Sequence, residues 1–85
     1  SDVKQVVKLL LVEDEVQIRK LLNMSMSEHG YVLIEAGTAK EALEHIANSQ
    51  PQIIVLDLGL PDMDGVELTR KIREWSNIPI IVISA

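Results

Sequence analysis

Four short apolar runs alternate along this chain with three longer segments in which apolar residues recur at helical spacing. The runs cover residues 6–12, 32–36, 53–56 and 78–83. Such alternation is typical of βαβ units, in which helices connect parallel strands. A parallel sheet is covered by helices on both faces, so its strands are apolar along nearly their whole length. The pattern therefore predicts an α/β fold with four parallel strands and three helices.

Each predicted helix has one apolar face and a recognisable start or end. The first covers residues 15–29 and stops at Gly30. The second begins with a capping box formed by Thr38 and Glu41, and the third has Asp64 as its N-cap. The apolar face consists of Ile18, Leu21, Leu22 and Met26 in the first helix and of Ala39, Ala42, Leu43, Ile46 and Ala47 in the second, and the third helix is predicted to bury Val66, Leu68, Ile72 and Trp75.

Composition narrows the class of protein further. A length of 85 residues allows at most one domain, and the absence of cysteine fits a reducing cytosol. The net charge of -5 argues against a nucleic-acid surface, which needs clustered Lys and Arg, so any DNA contact would come from elsewhere. No apolar run approaches the ~18 residues of a membrane span, and the amino terminus lacks a signal-peptide layout. We therefore expect a cytoplasmic protein without membrane contact.

Acidic side chains follow two of the apolar runs at the point where each run ends. Glu13 and Asp14 follow the first run, and Asp57 closes the third. The carboxyl ends of parallel strands form the edge where open α/β sheets bind ligands. Clustered carboxylates repel one another unless a cation neutralises them, and Mg²⁺ takes oxygen ligands of this kind. The sequence thus predicts a Mg²⁺ site. In the alternative interpretation, which stays open, Asp14 only caps the first helix and Asp57 only ends a strand.

Two further positions near that edge are candidates for the same site. Gly59 would allow its backbone carbonyl to approach the ion, and Ser84 ends the fourth run with a hydroxyl that could donate to a phosphoryl oxygen. A strand-end serine without a role is the simpler interpretation of Ser84. The segment 62–65 resembles the opening of a calcium loop, but Arg73 stands where the last ligand would have to be. We therefore exclude a calcium loop.

Three blocks of sequence, at residues 11–15, 55–65 and 79–85, closely resemble the receiver domain of bacterial two-component response regulators. They occur in the order and at the separations typical of that family. Residues 57–62 and 73–76 are most similar to the OmpR/PhoB group, and within it to the Kdp-type regulators of potassium uptake. The resemblance implies a flavodoxin-like sheet of order 2-1-3-4-5 with helices on both faces.

The resemblance also implies a role for each candidate residue. Asp57 would accept a phosphoryl group from the phosphohistidine of a sensor histidine kinase. Asp14 and Asp57 would ligate Mg²⁺ with the Gly59 carbonyl, and Glu13 would contribute directly or through water. Ser84 would bond a phosphoryl oxygen and transmit its arrival. A new group with about -2 charge can then bias a two-state element.

The resemblance covers almost the whole chain, but the chain does not cover the whole family domain. Residues 1–85 are expected to be the truncated amino-terminal portion of a receiver domain. Family members continue past Ala85 with a fourth helix, a fifth strand that carries a lysine and a switch aromatic, and a fifth helix. No residue here can take the role of that lysine. The implied protein is a phosphoacceptor rather than an enzyme, is a homodimer, and controls transcription through a DNA-binding output domain outside this sequence.

Two other functions are consistent with parts of the pattern. A Mg²⁺-dependent phosphohydrolase would use Asp57 as its nucleophile, but such enzymes carry a second aspartate two residues later, where this chain has Gly59. A receiver-like dimerisation module that is never phosphorylated would not need an acidic site. The presence of Glu13, Asp14, Asp57 and Ser84 disfavours that second alternative.

Overall fold

The computed structural model describes residues 6–83, which form one parallel sheet with helices on both faces. The elements in chain order are β1 (Lys8–Val12), α1 (Val16–Glu28), β2 (Val32–Ala36), α2 (Ala39–Ser49), β3 (Ile53–Asp57), α3 (Gly65–Arg73) and β4 (Ile80–Ile83). The strand order is β2-β1-β3-β4. The predicted α/β fold and the flavodoxin-like order of its first four strands are therefore confirmed.

Strand β1 lies in the middle of the sheet and determines the register of its neighbours. Leu10 is paired with Ile34 of β2 on one side and with Ile54 of β3 on the other. Residues 9–12 are all buried, which explains why this run is apolar at every position. Val12 pairs with Leu56, so the residues that follow them emerge side by side at the carboxyl edge.

The face covered by α2 and α3 holds most of the core. The predicted faces of these helices are confirmed for Ala39, Ala42 and Ile46 of α2 and for Leu68 and Ile72 of α3, all of which are buried. They pack against alternate residues of β1 and β3, since successive strand residues point to opposite faces. The strand residues in this cluster are Leu10, Val12, Ile54 and Leu56, together with Ala36 of β2.

The opposite face is covered more thinly by α1. Leu22 and Met26 pack against Leu9, Leu11 and Val55, but no residue of α1 is itself buried. Ile18 and Leu21, which belong to the predicted apolar face, are 40% and 67% exposed. Leu21 is turned by about 100° from Leu22 around the helix axis, and Ile18 lies one turn nearer the helix start. Helical spacing indicated the direction of the apolar face of α1. It did not indicate that only part of this face contacts the sheet.

Three more residues of the predicted helix faces are exposed, and for two of them, Val66 and Trp75, the prediction of burial was wrong. Ala47 lies at the solvent side of α2. Val66 is 57% exposed because it lies at the first turn of α3, beside the carboxyl edge of the sheet. Trp75 is 54% exposed because α3 ends at Arg73, so Trp75 is not part of the helical face that packs against the sheet.

The predicted helix ends agree closely with the structure. Thr38 accepts a hydrogen bond from the Glu41 amide at 3.1 Å, and Asp64 accepts one from the Val66 amide at 2.7 Å. The Glu41 carboxylate reaches the Gly37 amide at 2.8 Å, one residue before the position of an ordinary capping box. After α1, Gly30 adopts a φ of 90°, which favours glycine. Within residues 6–83, no helix is long and apolar enough to cross a membrane.

Strand β4 forms one edge of the sheet and leads to a prediction about association. Ile81 and Val82 of β4 are 50% and 47% exposed, and an open apolar edge invites pairing with another strand. A polypeptide of these 85 residues should therefore self-associate, or fold poorly. Light scattering and amide hydrogen exchange measure this. A stable monomer at micromolar concentration with protected amides over residues 80–83 would contradict the prediction.

Candidate functional site

Three carboxylates meet at the carboxyl edge of the sheet. Glu13 and Asp14 follow β1, Asp57 ends β3, and one oxygen from each lies within 4.8 Å of the others. The parallel register explains the meeting, because Val12 pairs with Leu56 and the next residue of each strand is acidic. The structure thus brings together three of the residues that the sequence pointed to.

Glu13 is the most buried of these carboxylates, with only 4% of its surface exposed. Burial raises the pKa of its carboxyl group above the ordinary glutamate value, and the nearby charge of Asp57 raises this pKa further. A hydrogen bond from the Glu15 amide to Glu13 Oε2, at 3.1 Å, acts in the opposite direction. A buried carboxylate beside two others is an unfavourable arrangement that a bound cation would relieve.

The carboxylates fit a small divalent ion. Two oxygens bound to one Mg²⁺ at about 2.1 Å lie no more than about 4.2 Å apart. Only opposite ligands are that far apart, and adjacent ones lie about 3.0 Å apart in an octahedral shell. Glu13, Asp14 and Asp57 place one oxygen each within 4.8 Å of the others, so side-chain rotation, or one bridging water, would bring them into such a shell. The donors are all oxygens of hard carboxylates, which is the ligand chemistry that Mg²⁺ prefers.

Asp57 is half-buried and faces an open crevice of about 490 Å³. Its Oδ1 accepts a hydrogen bond from the Gly59 amide at 3.3 Å, which orients the carboxylate. The crevice is wide enough for a phosphoryl group or a hydrated ion. It is lined by Asp14, Glu15, Asp57, Leu58, Gly59, Asp64 and Val66.

The loop that follows Asp57 closes tightly on itself. The Gly65 amide donates to the Leu58 carbonyl at 3.0 Å, and Gly65 is buried. A Cβ atom at residue 65 would stand 2.6 Å from the Cα of Leu58, which is closer than real Cβ contacts. Glycine is therefore required where α3 begins, because any side chain would push the loop away from Asp57.

Asp62, in the same loop, ties it to the start of α2. Its two carboxylate oxygens accept hydrogen bonds from the amides of Ala39, at 2.8 Å, and Lys40, at 3.0 Å. These amides belong to the first turn of α2, which has no partners of its own for them. Sequence reasoning considered Asp62 only in the excluded calcium loop and missed this contact. The free amides of a first helical turn were a signal, but they did not indicate which distant carboxylate would bind them.

The remaining predicted site residues are less defined. Gly59 is exposed next to Asp57, and the role of its carbonyl as a metal ligand stays a prediction. Ser84 lies outside the described residues, so its role also stays a prediction.

Sequence comparison assigns the chain to a known family. The family model of the response regulator receiver domain matches residues 9–85. This chain belongs to that family. The receiver domain itself is not an enzyme family, which disfavours the phosphohydrolase alternative for these residues.

Relatives that resemble the chain include several regulators named KdpE. The KDP operon transcriptional regulatory protein KdpE of Escherichia coli is 46% identical over 77 residues, which are 91% of this chain and 34% of that protein. KdpE of Staphylococcus aureus is 44% identical over 78 residues, which are 92% of this chain and 34% of that protein. The predicted Kdp-type resemblance is confirmed, and the chain spans about a third of the length of these relatives.

Solved structures confirm the receiver fold. The chemotaxis response regulator CheY4 of Vibrio cholerae superimposes with a TM-score of 0.87 at 27% identity, covering 92% of this chain and 68% of that one. The BeF3-activated receiver domain of Klebsiella pneumoniae RstA gives a TM-score of 0.87 at 28% identity, covering 91% and 66%. In both comparisons nearly all of this chain lies within the shared fold.

Asp62 gives a prediction that depends on pH. The hydrogen bonds from the Ala39 and Lys40 amides lower the pKa of Asp62 below the ordinary value. A lowered pKa adds stability that is fully present above the unfolded-state pKa of about 4 and is lost as the pH falls through the folded-state pKa. In the complete receiver, Asp62→Ala should therefore be less stable than the wild type at pH 7.

This stability difference should shrink below a pH of about 4. Urea denaturation at a series of pH values measures it. The control substitution is Glu44→Ala, at an exposed position of α2, the helix that Asp62 contacts. An Asp62→Ala protein with wild-type stability at neutral pH would show that the contact with α2 contributes nothing.

Proposed function

We propose that this chain is the phosphoacceptor module of a two-component response regulator and that Asp57 accepts the phosphoryl group. The observation that carries the proposal is the position of Asp57, in a cluster of carboxylates and on an open crevice. Membership of the receiver family and similarity to transcriptional regulators support it.

The phosphoryl donor is proposed to be the phosphohistidine of a sensor kinase. An Asp57 carboxylate oxygen attacks phosphorus in line with the scissile P–N bond. As the new P–O bond forms, the P–N electron pair returns to the imidazole, which takes up a proton from solvent. Reactions of this kind need positioning and neutralisation of charge more than covalent chemistry from the protein.

Residues around Asp57 would position it for this attack. The hydrogen bond from the Gly59 amide holds Oδ1 and thereby distinguishes it from Oδ2. A Cβ atom at residue 59 would stand at an ordinary contact distance of 3.9 Å from Oδ2, so alanine would fit beside the carboxylate. A larger side chain there would narrow the approach of the donor.

Mg²⁺ is the proposed cofactor. Asp14 and Asp57 would hold it with the Gly59 carbonyl, and Glu13 would contribute directly or through a water molecule. When bound, the ion would offset the charge of the carboxylates and of the phosphoryl oxygens. The mutual distances of at most 4.8 Å among Glu13, Asp14 and Asp57 support this assignment.

The consequences of phosphorylation would reach beyond this chain. Ser84 would bond a phosphoryl oxygen and report its arrival, and a cytoplasmic output domain would then act on DNA. Homodimer formation would bring two such output domains together. The names of the KdpE relatives, which are transcriptional regulators, support this part of the proposal.

Phosphorylation of the complete regulator tests the role of Asp57. With a small acyl-phosphate donor and Mg²⁺, the wild type should gain one phosphate, held as an acid anhydride on the Asp57 carboxylate and seen by intact mass. Asp57→Asn should gain none, because the amide lacks the charged nucleophilic oxygen. Asp64→Asn is a matched control, since Asp64 lines the same crevice and asparagine is also a good N-cap. A stoichiometric adduct on Asp57→Asn would falsify the assignment.

Metal binding is tested separately by calorimetry or by the relaxation effect of Mn²⁺. Asp14→Ala should abolish binding of Mg²⁺ to the complete regulator, because one carboxylate and one carbonyl leave too few protein ligands. Glu15→Ala should bind as the wild type does, since Glu15 lines the crevice without belonging to the carboxylate cluster. Undiminished binding by Asp14→Ala would rule out this site.

A further inference from the structure

Arg19 lies on the first turns of α1 and links that helix to both neighbouring strand ends. Its Nη1 donates a hydrogen bond to the main-chain carbonyl of Glu13 at 2.8 Å. Its Nε donates to Glu35 Oε1 of β2 at 2.9 Å. Only 20% of the Arg19 side chain is exposed, so this guanidinium is held between the strands rather than free in water.

The bond from Arg19 is one of three hydrogen bonds that hold Glu13. The Glu13 amide donates to the Ala36 carbonyl at 3.0 Å, and its Oε2 accepts from the Glu15 amide. With its carbonyl held by Arg19, each polar group of Glu13 has a partner. That carbonyl belongs to the peptide group joining Glu13 to Asp14. Its orientation therefore also determines the position of the Asp14 backbone, from which the Asp14 side chain extends.

Arg19 is itself held in place from the opposite side. Asn23, one turn further along α1, donates to the other oxygen of the Glu35 carboxylate, and Ser27 donates to Asn23. Glu35 therefore has a fixed orientation when it binds Arg19. A Cβ atom at Gly37 would stand 2.9 Å from Arg19 Nη1, so the absence of a side chain at residue 37 lets the guanidinium reach Glu13.

We propose that Arg19 is a positioning residue for the divalent ion: it fixes the peptide group between Glu13 and Asp14 and so holds their carboxylates ready to bind. This inference rests on the proposed metal site. Partners that orient metal ligands without touching the metal typically change its affinity 10–100-fold when they are removed. A partly exposed ion pair contributes little stability of its own, so the effect should appear mainly in metal binding.

Calorimetric titration of the complete regulator with Mg²⁺, repeated with Mn²⁺, tests the inference. Arg19→Met should raise the Kd for Mg²⁺ about tenfold, since it removes both hydrogen bonds. Arg19→Lys should fall between Arg19→Met and the wild type, because an ammonium group lacks the planar fork that reaches two acceptors at once. Arg70→Met is the matched control: Arg70 also pairs with a glutamate, Glu67, but on the exposed surface of α3.

A second variant tests the same contact without touching Arg19. The Cβ atom of Gly37→Ala would come too close only to the flexible end of the Arg19 side chain, since Glu41 Oε1, at 3.6 Å, is at ordinary contact distance. The fold should therefore survive while Nη1 is displaced from Glu13. The Kd for Mg²⁺ should rise in this variant as well. Combined with Arg19→Met, however, Gly37→Ala should add nothing, because both changes remove the same hydrogen bond.

The outcomes separate this inference from the metal site on which it rests. Failure of the wild type to bind Mg²⁺ would overturn the proposed site, and the role of Arg19 with it. Wild-type affinity in a folded Arg19→Met or Gly37→Ala protein would overturn the role of Arg19 alone. An equal loss of affinity in Arg70→Met would do the same, since the effect would then follow from any lost surface pair.

Discussion

Repulsion among three carboxylates held within 4.8 Å of one another is the constraint on which the rest of the site depends. The parallel register places these groups side by side, and the burial of Glu13 makes their proximity more costly. The surrounding hydrogen bonds oppose their separation. Amide groups bind Glu13 and Asp57, and Arg19 fixes the backbone between Glu13 and Asp14. The site is thus prepared for a cation by the fold itself.

The loops around this edge support one another rather than acting separately. Asp62 connects the loop after β3 to the first turn of α2 by hydrogen bonds, and Arg19 connects the start of α1 to the end of β2 in the same way. Gly65 lacks a side chain where the start of α3 meets Leu58, and Gly37 lacks one beside the Arg19 guanidinium. Loss of the Asp62 or the Arg19 contact would therefore alter the loops that hold the carboxylates, although neither residue belongs to the cluster.

Sequence reasoning predicted the parts that depend on local pattern. Apolar runs and helical spacing indicated the elements, and the acidic ends of two runs indicated the cluster of Glu13, Asp14 and Asp57, because neighbouring parallel strands end at one edge. Asp62 and Arg19 were missed because their partners lie 23 and 16 residues away and are reached through the tertiary fold. The exposure of Leu21 was missed because periodicity gives the direction of a helix face and not its width.

The uneven covering of the sheet has a consequence for local unfolding. Helix α1 contributes no buried residue, whereas α2 and α3 share a core with β1 and β3. Segments with little buried surface open at lower free energy than the rest of a domain. Since α1 carries Arg19, its opening would release the peptide group between Glu13 and Asp14 while Asp57 stays in place on β3. A ligand that binds all three carboxylates would oppose this opening by mass action. It would thereby slow hydrogen exchange of the amides along α1, including those that are not in contact with the ligand.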